Sequence, residues 1–253
     1  MSLLRVQTLS KEFGGVHAIE DLDFAVNPGT IHSIIGPNGA GKTTLFNLIT
    51  GLYRPSSGRV LFDGADVTGV KPSRLAALGI SRTFQNLQIF FNMTAIENVM
   101  VGHHLHLDHR FLPSLFRLPA VARADRALKE RSAELMEFVG IGDCVGAEAS
   151  ELPYGALKRL EIARALAAKP RLLLLDEPAA GLNPTEARAI DAMIQKVAAS
   201  GVTVVLVEHD MKMVMGISDH ILVLDYGRKL AEGTPVEVRA NPLVVEAYLG
   251  VGA

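Results

Sequence analysis

Nine residues, GPNGAGKTT at 36–44, combine three glycines, a lysine and two hydroxyls in an order suited to holding phosphate. They match G-x-x-x-x-G-K-[ST], with an apolar run before and a helix-like segment after, which is the context that pattern requires. Gly36, Gly39 and Gly41 let backbone N–H groups turn inward round an anion, and the following helix start adds partial positive charge. Pro37, Asn38, Ala40 and Thr44 complete the loop. Lys42 is placed to reach the β and γ phosphates of a nucleotide, and the Thr43 hydroxyl to hold Mg²⁺.

A metal and an attacking water also need carboxylates. Asp176 closes the run LLLLD and is suited to a water-mediated Mg²⁺ contact at the carboxyl edge of a strand. Glu177 follows it and is placed as general base for the water. Taken alone, the same acidic pair reads equally well as a cap for the next helix; beside the phosphate loop the catalytic reading is favoured. His209, just past another apolar run, is expected to open onto the same edge, where an imidazole can bond the γ phosphate and hold water in line. Gln85 is a weaker candidate, with an amide able to touch both Mg²⁺ and water.

The elements that must position these groups follow from apolar patterning. The stretches 30–36, 171–178 and 202–210 are nearly continuous apolar runs, as expected of strands buried on both faces of a parallel sheet. The first 28 residues and 57–69 show shorter strands with Asp-Gly turn chemistry, predicting an antiparallel sheet beside the parallel one. Residues 86–152 read as a helical subdomain, with Ala124, Leu128, Leu135 and Val139 near one helical face and Gly140 as a stop. Asn183-Pro184 with Glu186, and Thr234-Pro235 with Glu237, each carry cap, first-turn proline and box acid.

The totals bound the answer. The 253 residues, 49% hydrophobic, are enough for a sizeable core, and a net charge of -2 supplies no basic field for nucleic acid. Charges at Arg5, Lys11 and Glu12 argue against a secretory signal, and no run reaches the roughly 18 apolar residues of a membrane span. The single cysteine, Cys144, fits a reducing compartment and reads as a small packed or partly buried side chain. The histidine-rich HHLHLDH at 103–109 has irregular spacing, so solvated histidines are preferred to a metal site.

Taken in order, the phosphate loop, Gln85, LPYGALKRLEIARAL at 152–166, LLLLDEP, AGLN at 180–183 and His209 resemble ABC-type ATPases over nearly the whole chain. The resemblance implies an α/β P-loop NTPase fold with a mainly parallel core sheet, an antiparallel β subdomain and a helical subdomain. One cassette would span 1–253, with its core in 1–85 and 156–253 and the helical part in 86–155. It makes the segment at 152–156 the family's signature, which holds the γ phosphate bound by an opposing subunit. A glycine-led helix start without a preceding strand or lysine is an anion site that needs such a partner to complete it, and a two-fold arrangement completes both sites at once. Tyr154 and Gly155 would then contact the neighbour's ATP. The usual serine, first glycine and glutamine are replaced by Pro153, Tyr154 and Ala156, so a hydroxyl contact is lost while backbone amides remain.

The resemblance also makes Phe13 a platform for adenine, against the alternative of a core phenylalanine. It makes FFNMT at 90–94 part of a groove for a helix of the membrane subunit, against packing inside the helical subdomain. The forms RTFQ, LDEPAAGLNP and NPLVVEAYLG are similar to the larger ATPase subunit of branched-chain amino acid importers. The implied cofactors are ATP and Mg²⁺. The implied partners are a second ATPase subunit, identical or different, integral permease subunits and, indirectly, a periplasmic or extracellular solute-binding protein. The implied location is the cytoplasmic face of the membrane, with no nucleic acid partner. The alternatives are an importer ATPase for urea, an amide or a lipid, and a soluble ABC ATPase outside transport.

Overall fold

The structure is a computed structural model that describes residues 2–106 and 119–249. The elements are, in order, β1 (Leu4–Phe13), β2 (Val16–Val26), β3 (Ile31–Ile35), α1 (Lys42–Ile49), β4 (Ser57–Phe62), β5 (Ala65–Asp66), α2 (Pro72–Ala77) and β6 (Ile80–Arg82). Next come α3 (Ala95–Gly102), α4 (Pro119–Phe138), α5 (Tyr154–Ala167), β7 (Leu172–Asp176), α6 (Pro184–Ala199), β8 (Thr203–Val207) and α7 (Met211–Ile217). β9 (His220–Asp225), β10 (Arg228–Gly233), α8 (Pro235–Ala240) and α9 (Pro242–Leu249) complete the described chain. Contacts divide the chain into two compact units, Met1–Arg82 with Arg171–Ala253, and Thr83–Pro170.

The first unit holds two sheets. One has the order β10-β9-β3-β8-β7-β6, parallel from β9 to β6 with only β10 antiparallel. β3, β7 and β8 are buried at every residue, as their uninterrupted apolar runs predicted. The other sheet, antiparallel in the order β2-β1-β4-β5, contains the expected Asp63-Gly64 turn, with φ of 51° and 79°. Helix starts at Asn183 and Thr234 form the full reciprocal boxes with Glu186 and Glu237 that their spacing predicted.

The second unit is helical. α5 packs on α3 and α4 and so belongs here, and the division falls after residue 170 where 155 was expected. α5 is buried almost all round, which the search for a single apolar stripe does not register. The buried face of α4 runs through Ser132 and Met136 to Val139 with Leu128 and Leu135 half-buried, while Ala124, expected on that face, is exposed. Gly140, at φ 77°, ends it. Cys144 is half-buried. His103 is buried and His104 exposed, whereas the rest of the histidine-rich stretch beyond residue 106 lies outside the described residues. No helix among the described residues is long and apolar enough to cross a membrane.

Candidate functional site

β3 ends at the sheet's carboxyl edge and hands directly to the glycine loop. A Cβ at Gly36 would overlap the Leu224 carbonyl oxygen, and one at Gly41, where φ is 99°, would sit 2.6 Å from the Ala18 oxygen. Only glycine allows the loop to lie this close to β2 and β9. Gly41 caps α1, so the N–H groups of Lys42, Thr43 and Thr44 are those a helix leaves without an internal partner. The Lys42 ammonium is folded back into the loop and donates to the carbonyls of Gly36 at 2.7 Å and Pro37 at 2.9 Å. Burial lowers its pKa, and the carboxylates of Glu177 and Asp176 oppose that shift. Lys42 and the two acids therefore share one electrostatic neighbourhood.

Asp176, at the end of β7, is buried and paired with Arg82 at 2.8 Å, each side chain about 6% exposed. Arg82 also donates to Asn47 Oδ1 at 2.6 Å and Thr50 Oγ1 at 3.2 Å, and its guanidinium lies 5.3 Å from the centre of the Phe46 ring. Through these contacts Arg82 fastens the carboxylate to α1. Glu177 continues the ladder by donating its N–H to Val207 O, yet its φ is 50°, a left-handed conformation that costs a non-glycine residue about 1–3 kcal/mol. That turn directs its carboxylate to His209, whose Nε2 lies 2.6 Å from Glu177 Oε1. The next helix is capped by Asn183, so the acidic pair does not serve as its cap.

Glu208, between β8 and His209, is 4% exposed and accepts N–H bonds from Ala179 at 2.9 Å and His209 at 3.0 Å. Burial pushes its carboxyl above the usual range while these amide bonds and one from Asp210 oppose the shift. It ties the loop after Glu177 to the backbone of His209. Phe13, at the end of β1, is 43% exposed and not in the core; it meets Tyr53 edge-on at 5.4 Å, with the Lys11 ammonium 4.7 Å from its ring centre. The Thr43 hydroxyl and Asp176 carboxylate are hard oxygen donors of the kind Mg²⁺ takes, so the residues present fit that ion.

In the helical unit, Gln85 is exposed on the segment before α3. Phe90 and Phe91 are also exposed, so neither ring is enclosed within the helical unit, although Arg164 lies against Phe90. α5 starts after Pro153, which supplies no side-chain cap; its first internal bonds are from Ala156 and Leu157 to Pro153 O. Tyr154 and Gly155 thus lead the helix, Tyr154 half-exposed and Gly155 buried, with the Lys158 ammonium 5.7 Å from the Tyr154 ring centre.

Residues 19–180 match the family model described as ABC transporter. The chain belongs to the ABC transporter ATP-binding family. It is accordingly a nucleotide-binding cassette, as the order of its motifs implied. Residues 228–253 match a second model, described as branched-chain amino acid ATP-binding cassette transporter. The chain is 47% identical over 249 residues to the high-affinity branched-chain amino acid transport ATP-binding protein BraF of Pseudomonas aeruginosa, covering 98% of each. It is 43% identical to the corresponding protein LivG of Escherichia coli, again over 98% of each. Among solved structures, a nucleotide-free ATP-binding cassette from an ABC transporter aligns with TM-score 0.85 and 35% identity, over 99% of this chain and all of the other. The ADP conformation of such a cassette gives TM-score 0.86 at 35% identity, covering 99% of each.

Three contributors to this ABC cassette site escaped the sequence reading. Arg82 lies 94 positions from Asp176, and no local spacing connects them. Its only signal is a lone arginine ending the short strand Ile80–Arg82, three residues before Gln85. Glu208 was passed over beside His209, although an acid ending the VTVVLVE run resembles Asp176 ending LLLLD. Tyr53 braces Phe13 from 40 residues away.

Proposed function

We propose that the chain is the ATP-hydrolysing subunit of an importer for branched-chain amino acids, working on the cytoplasmic face of a membrane. The observation that carries the catalytic part is the 2.6 Å contact of Glu177 with His209 at the sheet edge that also holds Lys42 and Asp176. In this reading the loop amides of 36–44 and Lys42 bind the phosphates of ATP, and Phe13 stacks on the adenine. Thr43 and, through water, Asp176 would hold Mg²⁺, which would supply charge neutralisation at the transferring phosphoryl group. Glu177 takes the proton of the attacking water, and His209 holds that carboxylate in place and donates toward the γ phosphate.

The two units act as one cassette spanning 1–253. Tyr154 and Gly155 at the start of α5 face the γ phosphate on an opposing ATPase subunit, so ATP joins two subunits and hydrolysis separates them. Gln85 and the exposed Phe90 and Phe91 link this cycle to a permease helix, for which exposed apolar anchors are suited. Near full-length identity to BraF and LivG supports branched-chain amino acids as cargo. The test is to purify the chain with its integral membrane subunits and measure ATPase stimulation by a panel of solutes. Leucine, isoleucine or valine, delivered by the binding protein, should stimulate turnover; stimulation by urea or short amides alone would reassign the cargo.

A further inference from the structure

We propose that Glu161, on the helix that opens at the signature, is a positioning residue for Gln85: its carboxylate fastens the backbone on both sides of Gln85 to α5. The inference rests on the role given to Gln85 above. Glu161 is 3% exposed, and it accepts N–H bonds from Gln88, at 3.4 Å to Oε1, and from Phe84. These two donors bracket Gln85, whose side chain is exposed. A second anchor closes its far end. Asn98 of α3 is fully buried, donates to Phe90 O at 3.0 Å and accepts from Phe90 N at 2.9 Å.

The chemistry argues for a specific purpose. A buried carboxylate is costly unless it is bonded and its charge is compensated. A small apolar side chain would fill the same helical position without that cost. Here the acid's bonds go to a loop that is not part of any regular element, and the cations facing it, Lys158 and Arg164, come from the same helix. Arg164 in turn lies 5.5 Å from the Phe90 ring centre, so the cation that compensates Glu161 also touches the end of the segment. The helix start that faces a neighbour's phosphate and the glutamine segment are thereby tied through one side chain, so displacement of one moves the other.

The test compares Glu161→Ala with Glu161→Gln, which keeps an acceptor oxygen of the same reach. Amide hydrogen exchange in the chain without nucleotide should quicken about tenfold at Phe84 and Gln88 in the alanine variant, relative to α6, and by less than about twofold in the glutamine variant. In the transporter complex, Glu161→Ala should lower kcat for ATP with KM unchanged, and add nothing to the loss already caused by Gln85→Ala. Unchanged exchange, or kcat losses that multiply in the double variant, would overturn the positioning role. If the alanine variant does not fold, Glu161→Met fills the volume without an acceptor and is read the same way. Gln85→Ala alone at the wild-type rate would remove Gln85 from the mechanism and the role of Glu161 with it, while leaving the Glu177 site standing.

Discussion

The helices that begin at Lys42 and at Tyr154 both carry a glycine at their N-termini, Gly41 as cap of the first and Gly155 in the first turn of the second, but they are built to different degrees of completeness. The first follows a fully buried strand, has Gly41 as cap, carries the lysine, and has Asp176 and Glu177 in its electrostatic neighbourhood. The second follows a short loop, has a proline cap with no side-chain oxygen, and carries a tyrosine that stands half-exposed. One start has a lysine and two carboxylates around it; the other offers backbone amides and little else. In the proposed function the second start therefore serves opposite a completed site on another subunit.

The largest effect is expected at Glu177, the base of the proposed mechanism. Glu177→Gln is expected to lower turnover by on the order of 10²–10⁴-fold while leaving ATP affinity near wild type, checked by single-turnover phosphate release alongside a binding titration. The foundation of the first start is next. Arg82→Met leaves the buried Asp176 carboxylate without its partner and should cost about 3–5 kcal/mol, read from denaturant midpoints. A comparable loss comes with acid. His32, in the strand that leads to the loop, is buried beside His220 with Nε2 unpartnered, and burial lowers its pKa from 6.5 to about 4. Since the unfolded chain takes up this proton first, stability is intact above pH 6.5 and falls as pH drops toward 4, by up to about 3 kcal/mol. Urea unfolding at pH 7 and pH 5 should show that slope in the wild type and a flatter one in His32→Leu. The smallest change is expected at the second start, where Pro153→Ser supplies the missing cap oxygen and should add about 1 kcal/mol, seen as a rise in Tm.

The same contrast explains what could be read in the sequence. Strands β3, β7 and β8 were legible because burial on both faces leaves an unbroken apolar run, and the boxes at Asn183 and Thr234 because cap, proline and acid are adjacent in the chain. Lys42, Asp176, Glu177 and His209 were legible by type and by the strand ends that carry them. The supports were not. Arg82 on Asp176, Glu208 on the Ala179 and His209 amides, and Asn98 on Phe90 are buried polar groups whose meaning lies in partners that a periodicity search does not reach. The placement of α5 was missed for a related reason. Buried Lys158 and Glu161 interrupt its apolar pattern, although the helix is enclosed almost all round.

In the proposed mechanism the site of ATP held by Lys42 of one subunit is completed by Gly155 of another. This completion is tested most directly by solving the structure of the Glu177→Gln form loaded with ATP and Mg²⁺ in its assembled complex. The start of α5 should lie within hydrogen-bonding distance of a γ-phosphate oxygen bound across the interface. An ATP-loaded complex in which that helix start is distant from every γ phosphate would contradict it.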